Sequence, residues 1–337
     1  MEEAKYDKTY RGHALINIFG IIALTFLMLV SIVGAAPFAY IAHPFNNTVS
    51  VIDTAINTVT ATVAVGSSPE GVAVNPAGTK IYVTNYDSGT VSVIDTSSNT
   101  VTATVPVGNS PEGIAVSTDG TKVYVANVNS YTVSVIDTAT DTIAATLNVL
   151  SPPDGVAVNP DGTKVYITNP YSDTVSVINT SDNTVTATVP VGSNPIGVAV
   201  TPDGTKVYVT NCGNISNIND SDKTVSVIDA ATNTVTATVD VGIGPFGIAV
   251  NPNGTSVYVA NFWSNTTSVI NTTTDTITAT VPVGILPIGI AITPDGTKVY
   301  VDNEVSGTLS VIDTANNSVT ATVPVGYLPS SFGQFIG

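Results

Sequence analysis

Residues 159–169 read NPDGTKVYITN, and near-copies recur as STDGTKVYVAN from 117, TPDGTKVYVTN from 201 and TPDGTKVYVDN from 293. Repetition at a fixed period marks a repeat architecture. The VSVID-like string that follows sets the count. Its first residue falls at Val49, Val91, Val133, Val175, Val225, Thr267 and Leu309, seven copies spaced by 42 residues except for one interval of 50. The eight extra residues lie in CGNISNINDSDK, 212–223, and lengthen one connection.

Each unit holds four short runs that alternate apolar with polar or β-branched residues; in the unit from Gly155 they are GVAVN, KVYITN, VSVIN and TVTATVPV. Period-2 alternation specifies strands. Pro160-Asp161-Gly162 sets a tight turn, with Pro fixing φ and Gly taking a positive φ. Antiparallel meanders of this length are propeller blades. The chain ends agree with a closed ring: Tyr40 sits 42 residues before Tyr82, so Phe38–Ala42 is a second strand, whereas Gly333–Gly337 falls where a first strand belongs. One blade is split between the two ends, and joining them removes the exposed sheet edges of an open stack. The expected fold is all-β, a seven-bladed propeller of four-stranded antiparallel blades over 37–337, one blade closed by N- and C-terminal strands.

Tyr82-Val83-Thr84-Asn85 and Tyr208-Val209-Thr210-Asn211, with PxG before and VIDT after, resemble the YVTN family of β-propeller repeats. The resemblance covers about 300 of the 337 residues. It implies a cell-surface or surface-layer protein of the archaeal type, and it brings no catalytic residues with it.

Residues 14–36 carry no charge across 23 positions and follow Lys5, Lys8 and Arg11. This is an export element, either a signal peptide cut after Ala35 or Ala36 or an N-terminal hydrophobic membrane helix. Both alternatives place residues 37–337 outside the cell. Beyond residue 36 the chain keeps 22 acids against 6 lysines and no arginine. Nucleic acid, which requires a basic face, is not an expected partner. Other envelope proteins, glycans or further copies of the chain are, with membrane contact only through 14–36. The lone Cys212 forms no intramolecular disulfide. Sequons at Asn46, Asn179, Asn214, Asn219, Asn253, Asn265, Asn271 and Asn316 are glycosylation candidates.

Catalytic machinery is sparse, and the expectation is a non-enzyme with no cofactor other than Ca²⁺. His43, the one histidine after residue 36, replaces the Asn that ends YVTN and reads as a surface substitution; no serine or cysteine motif accompanies it. Asp53, Asp95, Asp137, Asp229 and Asp313 close the VID strand, with Asn at 179 and 271, and read as turn formers. The recurrent tyrosines read as packing between blades.

Difference between units is the better guide to function. The middle residue of PxG is Glu70, Glu112 and Asp154 on three consecutive units, then Ile196, Phe246 and Ile288. This loop enters the innermost strand, so one mouth of the channel carries an acidic arc facing an apolar one, fit for Ca²⁺ or a cationic or polar ligand; the alternatives to a surface scaffold are therefore a ligand- or Ca²⁺-binding sensor module and a Ca²⁺-dependent enzyme of lyase or lactonase type working at that mouth. In the long connection Asn217, Asn219, Asp220 and Asp222 form a weaker oxygen-rich metal candidate, lacking the glycine and terminal Glu of an EF-hand. Phe262-Trp263 replaces polar residues after YVAN and is a candidate partner-binding pair.

Overall fold

The computed structural model describes residues 37–214 and 222–337. The proposed N-terminal helix and export segment, 1–36, lie outside the described residues, as do Asn217, Asn219 and Asp220. Among the described residues no helix is long and apolar enough to cross a membrane.

The chain is a seven-bladed β-propeller. Six blades are four-stranded antiparallel sheets in simple meander order, and the remaining sheet holds three strands. That three-stranded sheet comprises β1 (Phe38–His43), β2 (Thr48–Asp53) and β3 (Thr58–Ala64), and the next blade shows the full pattern with β4 (Pro69–Val74), β5 (Lys80–Asn85), β6 (Thr90–Asp95) and β7 (Thr100–Pro106). Local chemistry fixes each hairpin. Asp95 Oδ1 accepts the backbone amides of Ser97 and Ser98 at 3.1 and 2.9 Å, and Asn99 takes φ 52° to finish the turn. Asn179 and Asn271 accept their Ser181 and Thr273 amides at 2.9 Å in the same way, so the periodic acids are turn formers.

Burial follows the alternation. The second and third strands of every blade are almost wholly buried, whereas the outermost strand shows mostly exposed residues. Apolar faces of adjacent blades interlock: Tyr82, Val91, Val93 and Val105 of one blade pack on Ile114, Val123, Val125 and Ile136 of the next. At about 1.5–3 kcal/mol per buried large aliphatic side chain, these inter-blade layers are the main stabilising term. The tyrosines belong to them. Tyr208 and Tyr300 also reach across to the next blade's turn, donating to Asp275 Oδ1 at 2.6 Å and Asn57 Oδ1 at 2.7 Å. Every outer strand is bulged against its neighbour, as between Val93 and Ile94, and a bulge twists a free edge away from further pairing.

The split blade closes as the two chain ends imply, with one difference. The tail makes bridges in place of a regular fourth strand. On one side Tyr40 N donates to Phe335 O and Phe38 N to Gly337 O, both at 2.9 Å. On the other, Val72 N donates to Phe332 O at 2.8 Å and Val74 N to Gln334 O at 3.0 Å, in parallel sense. The tail therefore joins its own blade to the following one. Gly333 at φ 96°, in a left-handed region that disfavours side chains, sets its path.

His43 corrects a sequence reading. It is 3 % exposed, not a surface residue. Its Nε2 shares a 2.9 Å hydrogen bond with Ser50 Oγ, as Asn85 Nδ2 donates to Ser92 Oγ at 3.0 Å. The ring does the Asn's structural work in the one blade that lacks it.

Candidate functional site

The YVTN tract shapes the channel mouth. Its Thr hydroxyl links two consecutive PxG loops: Thr84 Oγ1 accepts the Gly71 amide at 2.7 Å and donates to Glu112 O at 2.9 Å. Thr168 and Thr210 repeat the link to Ile196 O and Phe246 O at 2.8 and 2.7 Å. Its Asn ties the loop entry, as Asn127 Oδ1 accepts the Gly108 amide at 3.1 Å. Glycine in PxG is a matter of space: a Cβ at Gly113 would stand 2.0 Å from Asp154 O. Each loop thus rests on the next, and the middle residues are held in a ring.

The structure brings together the two arcs expected from the sequence. Ile196, Phe246 and Ile288 form one buried cluster with Cys212, against which Phe262 and Phe332 pack. The ring centroids of Phe246 and Phe262 are 5.3 Å apart, those of Phe246 and Phe332 6.1 Å, and those of Phe262 and Trp263 4.9 Å. Phe262-Trp263 is therefore continuous with the apolar arc. Among the described residues the buried Trp263 Nε1 has no hydrogen-bond partner.

Opposite stand the acids. A cavity of about 420 Å³ opens at this mouth, lined by Glu70, Glu112 and Glu304 together with Phe45, Phe246, Ile288, Ser330 and Phe332 among others. Burial first, then the charge of Glu112, pushes the Glu70 carboxyl up to about 8; Ser330 Oγ, donating to Glu70 Oε2 at 2.9 Å, opposes the rise. Burial lifts Glu112 to about 7, and burial with the charges of Glu112 and Glu70 lifts Asp154 well above the carboxylate range. Among the described residues no group of three or more His, Cys, Asp or Glu side chains is placed to hold a metal ion. Asp222, the described member of the oxygen-rich connection, uses Oδ1 to accept from the Lys223 amide at 2.7 Å and Thr224 Oγ1 at 3.1 Å.

Four residues of the mouth escaped sequence reasoning. Ser330 is the seventh PxG position, hidden because PSS replaces PxG in the tail; the 42-residue offset from Ile288 was the available signal. Asp302, in the Thr slot of YVTN, is wholly buried, and among the described residues no side chain donates to either carboxylate oxygen. Glu304 follows two residues later, and Cys212, 0 % exposed, sits under the apolar arc with its thiol pushed up to about 12 by burial. At the other end the channel widens into a cavity of about 620 Å³, walled largely by Val, Ala and Ile of the innermost strands.

Of the sequon asparagines, Asn46, Asn214, Asn253 and Asn316 are exposed, Asn179, Asn265 and Asn271 are partly buried, and Asn219 lies outside the described residues.

The profile of the choice-of-anchor I domain matches residues 152–328, more than half of the chain. The chain belongs to the choice-of-anchor I domain family. No curated protein matches it. Similar solved structures share its propeller. Hydrazine synthase of Kuenenia stuttgartiensis is 25% identical with a TM-score of 0.76, over 82% of this chain and 92% of that one. A functionally unknown protein from Desulfotomaculum acetoxidans is 17% identical with a TM-score of 0.76, over 88% and 99%. The dihydro-heme d1 dehydrogenase NirN, in complex with DHE, is 16% identical with a TM-score of 0.63, over 88% and 74%. For this choice-of-anchor I protein the latter two establish a shared fold alone.

Proposed function

We propose that the chain is an exported, non-catalytic β-propeller that serves at the cell surface as an envelope component or interaction scaffold. The observation that carries this reading is the match of more than half the chain to the choice-of-anchor I domain, a description that names attachment. The uncharged run at 14–36 behind three basic residues supports export, by cleavage or by retention as an anchor. Resemblance to YVTN repeats supports the narrower reading of a surface-layer protein of the archaeal type, with exposed sequons such as Asn46 and Asn316 as glycan sites. The placement of potential nucleophiles and bases supports a non-catalytic role: His43 is bound to Ser50, and the Cys212 thiol is buried and hard to ionise. Fractionation of native cells with an antibody to the ring tests it. Recovery with the envelope, and removal by protease added to intact cells, is expected; recovery with the cytosol ends the proposal.

A second reading has its own observation. Glu70 and Glu112, with carboxyls raised to about 8 and 7 in a cleft, are poised as general acids, and the structurally similar hydrazine synthase, 25% identical, is an enzyme by name. Turnover of a substrate, abolished in E70Q and E112Q, would establish this reading.

A further inference from the structure

Charge is distributed unevenly over the two faces of the ring. Lys80, Lys122, Lys164, Lys206 and Lys298 all begin the second strand of their blades, at the end opposite the mouth. There they clamp neighbouring turns, as Lys80 Nζ meets Asp141 at 2.8 Å and Lys206 Nζ meets Asp275 at 2.7 Å. Every ion pair found among the described residues lies on that far face. Among the described residues no mouth carboxylate forms an ion pair, and the sixth lysine, Lys223, stands exposed just before the third strand of its blade.

Asp302 is a separate and stronger anomaly. It occupies the strand position from which Thr84, Thr168 and Thr210 reach the next blade's loop carbonyl. A hydroxyl there can donate to a carbonyl, whereas a carboxylate can only accept. Asp302 is 0 % exposed and, among the described residues, no side chain donates to either oxygen; the Ser331 backbone amide favours its charged form, and burial outweighs that help. The acidic groups whose charge would raise it further are Glu304 and Glu70, both of which line the mouth cavity. A buried carboxylate without a countercharge is costly and takes up a proton, and a cation brought to the mouth would favour its charged form.

The walls decide which kind of cation. Among the described residues no carboxylate trio is placed for a metal, and Ca²⁺ requires six to eight oxygens. The same cavity is walled by Phe45, Phe246, Ile288 and Phe332, which suits an apolar body bearing a compact charge, and aromatic faces attract cations. We propose that the mouth binds an alkylammonium group, its charge directed at Glu70, Glu112 and Glu304 with Asp302 behind them, its apolar body against Phe246 and Phe332. A free small amine and a lysine side chain of a partner protein share this chemistry.

Calorimetric titration of the full chain in mild detergent at pH 9, where Glu70 and Glu112 are ionised and the ammonium probes keep their charge, tests the site with butylammonium chloride, butyrate, calcium chloride and Nα-acetyl-lysinamide as probes. Saturable binding of butylammonium or Nα-acetyl-lysinamide, with no response to butyrate, is expected. Tighter binding of butylammonium identifies a small amine as the source, and tighter binding of Nα-acetyl-lysinamide identifies a polypeptide side chain. E70Q/E112Q, isosteric and checked to melt cooperatively at no lower temperature than the parent chain, is expected to weaken binding at least tenfold, and F246L, which preserves the apolar wall, less than threefold. D302N provides a second variant should the double one fail to fold, and a tenfold loss is expected there too. Binding of neither ammonium probe, equal binding of butyrate, binding of calcium alone, or an unchanged affinity in both carboxamide variants overturns the proposal. Cell location is unaffected by any of these results, so this inference and the surface assignment fail separately.

Discussion

The hydrogen that Gly113 carries in place of a methyl decides whether the PxG loops can stack, because a Cβ there meets Asp154 O at 2.0 Å. G113A is expected to lower stability by about 2–4 kcal/mol, read as a fall in melting temperature. Charge makes a second residue-scale claim. Glu70, pushed to about 8 and faced by Glu112, Ser330, Glu304 and Asp87, binds its proton more tightly folded than unfolded. Its stabilising contribution is complete below pH 4.5, the ordinary value, and is lost as pH rises through about 8. E70Q is therefore expected to raise stability at pH 8 by about 1–3 kcal/mol and to change little at pH 5, as chemical denaturation at the two pH values would show. His43 works in the opposite direction. Burial lowers its pKa below the ordinary 6.5, so its neutral form is favoured when folded and its contribution fades as pH falls from about 6.5. H43N, which restores the residue of the other blades, is expected to flatten that acid arm. The period made the slot of His43 legible, but the slot's burial was not, because a strand end looks exposed until the loop entering its own blade from the preceding one, here at Gly326, is laid over it.

At the scale of elements, the four strands per unit were readable because turn residues and alternation agree with one another, as in the Pro160-Asp161-Gly162 turn and the KVYITN strand. The tail was readable only in part. Its 42-residue phase identified it as an inner strand, yet its bonds to both Tyr40 and Val72 depend on two segments far apart in sequence. Deleting Ser331–Gly337 removes these bonds together with buried Phe335 and Ile336. The shortened chain is expected to lose a single cooperative unfolding transition, with amide exchange speeding first at β1 and β4. Unchanged protection in those two strands would show that the tail does not seal the ring.

Over the whole molecule, closure and blade number followed from the count of repeats, whereas the mouth did not. Ser330 and Glu70 are 260 positions apart, and Phe262 meets Phe246 only because their loops converge on the axis. Spacing along a chain cannot report such convergence; the ring geometry supplies it. The net charge of −16 is likewise readable from the sequence, but its separation into a lysine-clamped face and an unpaired acidic mouth is not. Raising ionic strength is expected to stabilise the ring by relieving self-repulsion at the mouth, and E70Q/E112Q to shrink that salt response in thermal melts. Synthesis adds a temporal consequence. The segment that sutures the first blade to the second leaves the ribosome after all the blades have been made, so the circle stays open throughout elongation. A chain threaded across a membrane would thus arrive as a loose string of hairpins and shut only on the far side.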